Sequence, residues 1–191
     1  MRSLKDEVMT MGNTIFVGGV HGVGKTSFCD SIYKQYKVAS YSASAIIAKK
    51  ADKIKQRFSS DKRVEGISSN QDLLLIAVEE LGLGDAWYML DGHFCLIDKS
   101  GKVSRIPEST FLKLDVKGII VLVDSVDAIV QRLMIRDGVT HDAAFIDEFQ
   151  DKEVRYSKEI AAQLGVPHLS YTNDGPLDTI EGFFRNLCVI A

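Results

Sequence analysis

Apolar positions along the chain switch between two periods, and the switching predicts strands alternating with helices. Residues 13–18, NTIFVG, are a short β-rich run ending in glycine. Over 25–36 the apolar residues Phe28, Ile32 and Tyr36 fall on one helical face. A weak strand over 36–41 leads to a helix from about 44 to 58. Ser69 reads as the N-cap of a helix over 71–81 that stops at Gly82. Residues 86–90, AWYML, give a third strand. Residues 117–123, KGIIVLV, are the clearest strand: a continuous apolar run suits the buried centre of a parallel sheet. Helices follow over 126–136 and 142–164, then a strand over 166–171 and a closing helix opened by Pro176.

This alternation implies βαβ units, an α/β fold with a parallel sheet, and helices on both faces. Ligands in such sheets sit beyond the carboxyl ends of the strands. Functional residues are therefore expected just after Gly18, Tyr41, Leu90 and Val123.

Composition narrows the class. The 191 residues suit one domain with a core, and 46% hydrophobic with 26% charged residues is ordinary for a globular protein. No apolar run reaches bilayer-spanning length, and residues 1–10 lack the apolar core of a signal peptide. Cys29, Cys95 and Cys188 share no metal-like spacing and suit a reducing compartment. A net charge of −3 argues against a broad nucleic-acid surface. A soluble, cytoplasmic, single-domain protein is the expectation.

The segment Gly19-Val20-His21-Gly22-Val23-Gly24-Lys25-Thr26 satisfies GxxxxGK[ST], with a strand before it and a helix after it. Glycines let successive N–H groups turn inward toward phosphate oxygens, and the helix start adds unpaired N–H groups and a positive dipole end. Lys25 is expected at the β- and γ-phosphates and Thr26 on Mg²⁺, with His21, Val23 and Ser27 completing the contact segment. Asp91 ends the AWYML strand and is the preferred metal carboxylate, ahead of Asp124 after KGIIVLV. The alternatives are a turn formed with Gly92 for Asp91, and a helix cap for Asp124. His93 is a candidate contact for phosphate or water, with plain packing as the alternative.

Phosphoryl transfer relies on positive charge around the moving group. Arg132 and Arg136 stand at i, i+4 on one helix face, before a short segment over 136–142 able to act as a lid. Arg155 in the next helix is a further candidate. For any of the three, a solvated surface charge is the alternative. Polar residues over 42–71, among them Ser42, Ser44, Lys62, Arg63, Asn70 and Gln71, mark a candidate acceptor-binding insertion.

In its motifs and their order the chain resembles the archaeal-type adenylate kinases, within the nucleoside monophosphate kinases of the P-loop fold. The resemblance rests on GGVHGVGKT at 18–26, Asp91 and His93, KSGKVSRIP at 99–107, GIIVLVDSVDAIVQRL at 118–133 and IDEFQ at 146–150. It implies a five-stranded parallel sheet with a small monophosphate-binding insertion and a short lid. It assigns Gly19, Gly22, Gly24, Lys25 and Thr26 to the phosphates of ATP, Asp91 to magnesium and Arg132 and Arg136 to the transferred group. Arg63 and Gln71 fall in its monophosphate-binding region, and 99–107 stands for a loop containing Gly and Pro. The competing reading is a nucleotide-dependent ATPase or switch acting on a macromolecular partner. A GTPase fits poorly, because Asp115-x-x-Gly118 precedes its strand and no Asn-Lys-x-Asp motif occurs. The absence of Leu-Ser-Gly-Gly-Gln excludes an ABC-type ATPase.

Overall fold

The computed structural model describes residues 13–58, 70–97 and 101–190. Strand β1 (Asn13–Gly18) leads through the glycine loop to α1 (Lys25–Tyr36), then β2 (Ala39–Ser42), α2 (Ala43–Phe58) and α3 (Asn70–Glu79). Next come β3 (Trp87–Asp91), a hairpin of β4 (Cys95–Ile97) and β5 (Val103–Arg105), and α4 (Glu108–Lys113). Strand β6 (Val116–Leu122), helices α5 (Val126–Asp137) and α6 (Ala143–Leu164), β7 (His168–Tyr171) and α7 (Leu177–Asn186) complete the chain.

The main sheet has five strands in the order β2-β3-β1-β6-β7, and every neighbouring pair is parallel. Helices cover both faces, as the alternating pattern required. Strand β1 sits at the centre, so the loop that follows it leaves from the middle of the sheet's carboxyl edge. The core runs through β1 and β6. Ile15, Val17, Ile119, Ile120, Val121 and Leu122 are all fully buried, each side chain contributing about 1.5–3 kcal/mol by leaving water. Among the described residues no helix is long and apolar enough to cross a membrane.

Boundaries move by one to three residues for local reasons. Helix α1 ends at Tyr36 because Lys37 turns left-handed, with φ 58°, and its N–H donates to Tyr33 O. Strand β2 therefore begins at Ala39, not 36. Strand β3 extends to Asp91, whose partner in β1 is Val17, so the carboxylate stands on the last rung of the ladder. Helix α3 ends at Glu79, followed by a turn in which the Gly82 N–H donates to Glu79 O. Strand β7 starts at His168, after Pro167, whose carbonyl accepts from Ile119 N–H.

Within the segment expected as a loop over 99–107, Val103–Arg105 form β5 and pair with β4 as a hairpin. Cys95 pairs with Arg105, Leu96 with Ser104 and Ile97 with Val103. Three-residue arms are too short to show alternation. The unforeseen helix α4 follows Pro107 directly and buries Thr110 and Phe111. The insertion expected over 42–71 consists, in its described part, of α2 and the start of α3, which pack on each other. Arg63, Lys62 and the expected cap Ser69 lie outside the described residues, as do Lys99 and Ser100.

Gly18, the last residue of β1, has no room for a side chain. A Cβ there would lie 2.3 Å from the Phe94 ring, which is itself fully buried between Phe16 and Phe111. Gly18→Ala should cost about 1–3 kcal/mol of overpacking strain, read as a lower urea midpoint at unchanged slope.

Candidate active site

The glycine loop closes over the start of α1. Its shape needs glycine at two places above all. Gly24 is the N-cap residue of α1 at φ 105°, and a Cβ on it would meet Asn173 Nδ2 at 2.3 Å. Gly22 has φ 80°, and its Cβ would meet Leu133 Cγ at 2.8 Å. Both carry backbone torsions that L side chains rarely adopt. Gly24, the N-cap, has no side chain to cap the first turn of α1, and a helix start of this kind presents backbone amides suited to an anion.

Lys25 is buried within the loop and donates from Nζ to Gly19 O at 2.7 Å and Val20 O at 3.2 Å. Burial lowers its pKa, while Asp91 and Glu153 act to raise it. Outside the loop, Arg132 Nη1 donates to Gly22 O at 2.9 Å and Val23 O at 3.2 Å. Asn173 Nδ2 also donates to Val23 O, at 2.7 Å. Arg132 Nη2 is paired with Asp124.

The loop, β2, α2, α3, the β3–β4 turn, α4 and α5 enclose one cavity of about 650 Å³. Of the expected site residues, His21, Gly22, Gly24, Lys25, Thr26, Ser27, Ser42, Gln71, Asp91, His93, Arg132 and Arg136 line it. Three others do not. The Gly19 N–H is committed to Glu153. Val23 is fully buried, with its carbonyl taken by Arg132 and Asn173. Arg155, on α6, is exposed and pairs with Asp151 one turn back at 2.8 Å. Asp124 also falls outside the lining; it accepts from Ser125 N–H at 2.7 Å and is held by Arg132. That leaves Asp91 as the carboxylate among the described lining residues.

Asp91 is partly buried, which pushes its carboxyl up, and Lys25 pulls it back down. His21 and His93 place their ring centres 4.3 Å apart beside the loop. Burial, then Lys25 and His21, drives His93 down to about 2, so it is a neutral imidazole. Burial lowers His21 as well. Cationic charge at the cavity therefore comes from Lys25, Arg132 and Arg136 among the described lining residues. Arg136 lies at the rim, half exposed, with Nε and Nη2 on the Asp137 carboxylate at 2.6 and 2.8 Å. Asp137 in turn reaches His141 at 3.0 Å within the 136–142 segment.

Sequence reasoning passed over Glu153, a fully buried acid of α6. Burial pushes its carboxyl up to about 7 against three backbone amides and Lys25, which pull it down. A charged residue on the apolar stripe of Ile146, Phe149, Tyr156 and Ile160 was the available signal. Asn173 and the apolar cavity wall of Phe16, Ile47, Leu74, Phe111 and Leu114 were missed too.

Geometry and fold together define a P-loop nucleotide-binding domain of kinase-like architecture. The family model described as "AAA domain" matches residues 18–149, and the chain belongs to that family. No curated protein matches the chain. Among solved structures, the crystal structure of a gluconokinase from Sinorhizobium meliloti 1021 is similar in fold, with 13% identity, 93% of each chain covered and a TM-score of 0.51.

Two outcomes follow for the site. Gly24→Ala should weaken triphosphate binding by at least about tenfold, since strain and collision with Asn173 both deform the loop; titration calorimetry measures it. The second concerns pH. The pKa of Glu153 is raised from 4.5 to about 7 on folding. The native state therefore holds more protons than the unfolded chain between those values. Its stabilising contribution is fully present below pH 4.5 and is lost as pH rises through 7. Relative to Glu153→Gln, wild-type unfolding free energy should fall across that window by up to ~1.4 kcal/mol per pH unit, as read by urea titrations at stepped pH.

Proposed function

We propose that the chain is a phosphotransferase that moves the γ-phosphoryl group of Mg-ATP to a nucleoside monophosphate or a similar small acceptor. Residues 18–26, Asp91 with His93, and the runs 99–107, 118–133 and 146–150 carry the resemblance to the archaeal-type adenylate kinases, which assigns Arg132 and Arg136 to the transferred group. The supporting observation is the continuity of the cavity. One end is the phosphate loop. The other is a pocket with an apolar wall and the neutral polar groups Ser42, Ser44, Asn70, Gln71 and Thr110. Asp91 and His93 stand between the two. A cavity of that size and mixed lining suits a small acceptor with an apolar face.

In this reading the loop amides and Lys25 bind the donor phosphates. Lys25 exchanges its two loop carbonyls for phosphate oxygens as the ligand enters. Arg132 keeps the loop's outer carbonyls in place, and Arg136 leaves Asp137 to face the transferred group. Segment 136–142 then acts as a lid that excludes water. The Thr26 hydroxyl and the Asp91 carboxylate fit magnesium by their hard oxygen donors. Among the described residues no group of three or more His, Cys, Asp or Glu could hold a metal unaided, which suits an ion that takes its other ligands from phosphates and water. Magnesium, when bound, would neutralise charge on the β- and γ-phosphates.

A second reading, an ATPase or switch acting on a macromolecular partner, is supported by exposed apolar residues near the rim. Met134, Ile135 and Val139 are 54%, 79% and 56% exposed at the end of α5 and just beyond. Such groups suit a docking protein.

The two readings separate by the fate of the label from γ-labelled ATP. Protein and Mg²⁺ are incubated with each nucleoside monophosphate. Labelled diphosphate is the expected product; label recovered only as free phosphate, whatever the acceptor, sinks the kinase reading. Lys25→Ala should reduce either activity by roughly 10²–10³-fold. Arg136→Ala should lower kcat for transfer by a similar factor while changing the KM for ATP by less than about threefold.

A further inference from the structure

Parallel strands β1 and β3 pair up to Val17 and Asp91, and the Gly92 N–H then donates to Val17 O at 3.0 Å. Beyond that point the two chains separate. One turns into the phosphate loop and the other into the turn toward β4. The side chain of Glu153 spans the gap. Its Oε2 accepts from Gly19 N–H at 3.0 Å, the first amide of the loop. Its Oε1 accepts from Phe94 N–H at 2.9 Å and Cys95 N–H at 2.7 Å, directly after Asp91, Gly92 and His93. Glu153 is fully buried. A carboxylate is costly to bury unless its lone pairs are filled, and here backbone amides from two segments fill them.

The surrounding charges agree with such a role. Lys25 faces Glu153 from α1. His93 Nδ1 lies 3.8 Å from Oε1 and is a buried atom with no hydrogen-bond partner among the described residues. Cys95, from β4, is a neutral thiol pushed up to about 12, chiefly by burial. Its other electrostatic neighbours are Arg105 on β5 and Lys152 and Glu159 on α6. Among the described residues, Lys25 is the cation acting on Glu153, and it belongs to the phosphate loop.

We propose that Glu153 is a positioning residue: it fixes the phosphate loop against the Asp91–His93 turn, so that loop amides and metal carboxylate act on one triphosphate. The proposal rests on the magnesium-triphosphate reading of the site. Gln has the size of Glu but turns an NH₂ toward an amide donor, so it can satisfy one of the two segments and not both. Glu153→Gln should therefore leave the loop intact yet uncouple it from Asp91.

The test is the binding of a non-hydrolysable ATP analogue with Mg²⁺ and with EDTA, to wild type, Glu153→Gln and Glu153→Asp. In wild type Mg²⁺ should tighten binding by about tenfold or more. In Glu153→Gln that gain should shrink to within about threefold, with EDTA affinity near wild type. Glu153→Asp, with its charge kept but its reach shortened, should fall between. A role confined to stability would lower the melting temperature of Glu153→Gln and leave the Mg²⁺ gain unchanged, overturning the proposal. A parallel readout uses backbone amide resonances of the wild type. Gly19, Phe94 and Cys95 should shift together with one midpoint near 7. Separate midpoints, or none, would also overturn it. These resonances decide the matter if Glu153→Gln fails to fold. If wild type itself shows no Mg²⁺ gain, the metal-site reading fails, and the amide titration still judges Glu153.

Discussion

All five strands of the main sheet run the same way, and the site depends on that polarity. Each strand ends at one edge, so each strand-to-helix turn opens into the same space. With β1 in the centre and β3 and β6 on either side, the phosphate loop emerges between Asp91 on one neighbour and the start of α5 beyond the other. The ladder that holds these strands cannot continue once they diverge. The open edge gives the ligand its place, and it also leaves backbone groups that must find other partners.

Those partners define the loop. A segment of such glycine content has much conformational freedom to lose, and here it is restrained from several directions. Lys25 holds the carbonyls of Gly19 and Val20 from within. Arg132 and Asn173 hold the carbonyls of Gly22 and Val23 from outside. Glu153 takes the first amide from behind. A site already ordered in this way meets a ligand without first paying for its own organisation. Arg132 shows why spacing alone misleads. Its i, i+4 relation to Arg136 places both at the cavity, yet one braces the loop while the other is paired with Asp137 at the rim.

Much of the fold was legible in the chain because its signals are local. The run 117–123 is apolar on both faces, which only a central strand tolerates, and it became β6 with a shift of one residue. The loop was legible because positive φ demands glycine and phosphate chemistry demands Lys25 and Thr26 in fixed order. The hairpin and α4 were not, since arms of three residues and a six-residue helix carry too few positions to establish a period. For Arg155 the site role and the solvated charge stay open in the sequence for a related reason: helical spacing gives a face but does not say which way the helix is turned.

The sequence by itself determined the α/β alternation, the phosphate loop and the helix that follows it, since each depends on neighbours a few residues apart. Tertiary structure decided which carboxylate enters the cavity. Asp91 and Asp124 both follow strand ends, and only packing ties Asp124 to Arg132 and leaves Asp91 beside Lys25. It also decided the place of Glu153, separated by 134 residues from Gly19. A buried carboxylate is explained by amides that no local pattern can bring to it. Those contacts exist only after the sheet has formed and its strands have parted.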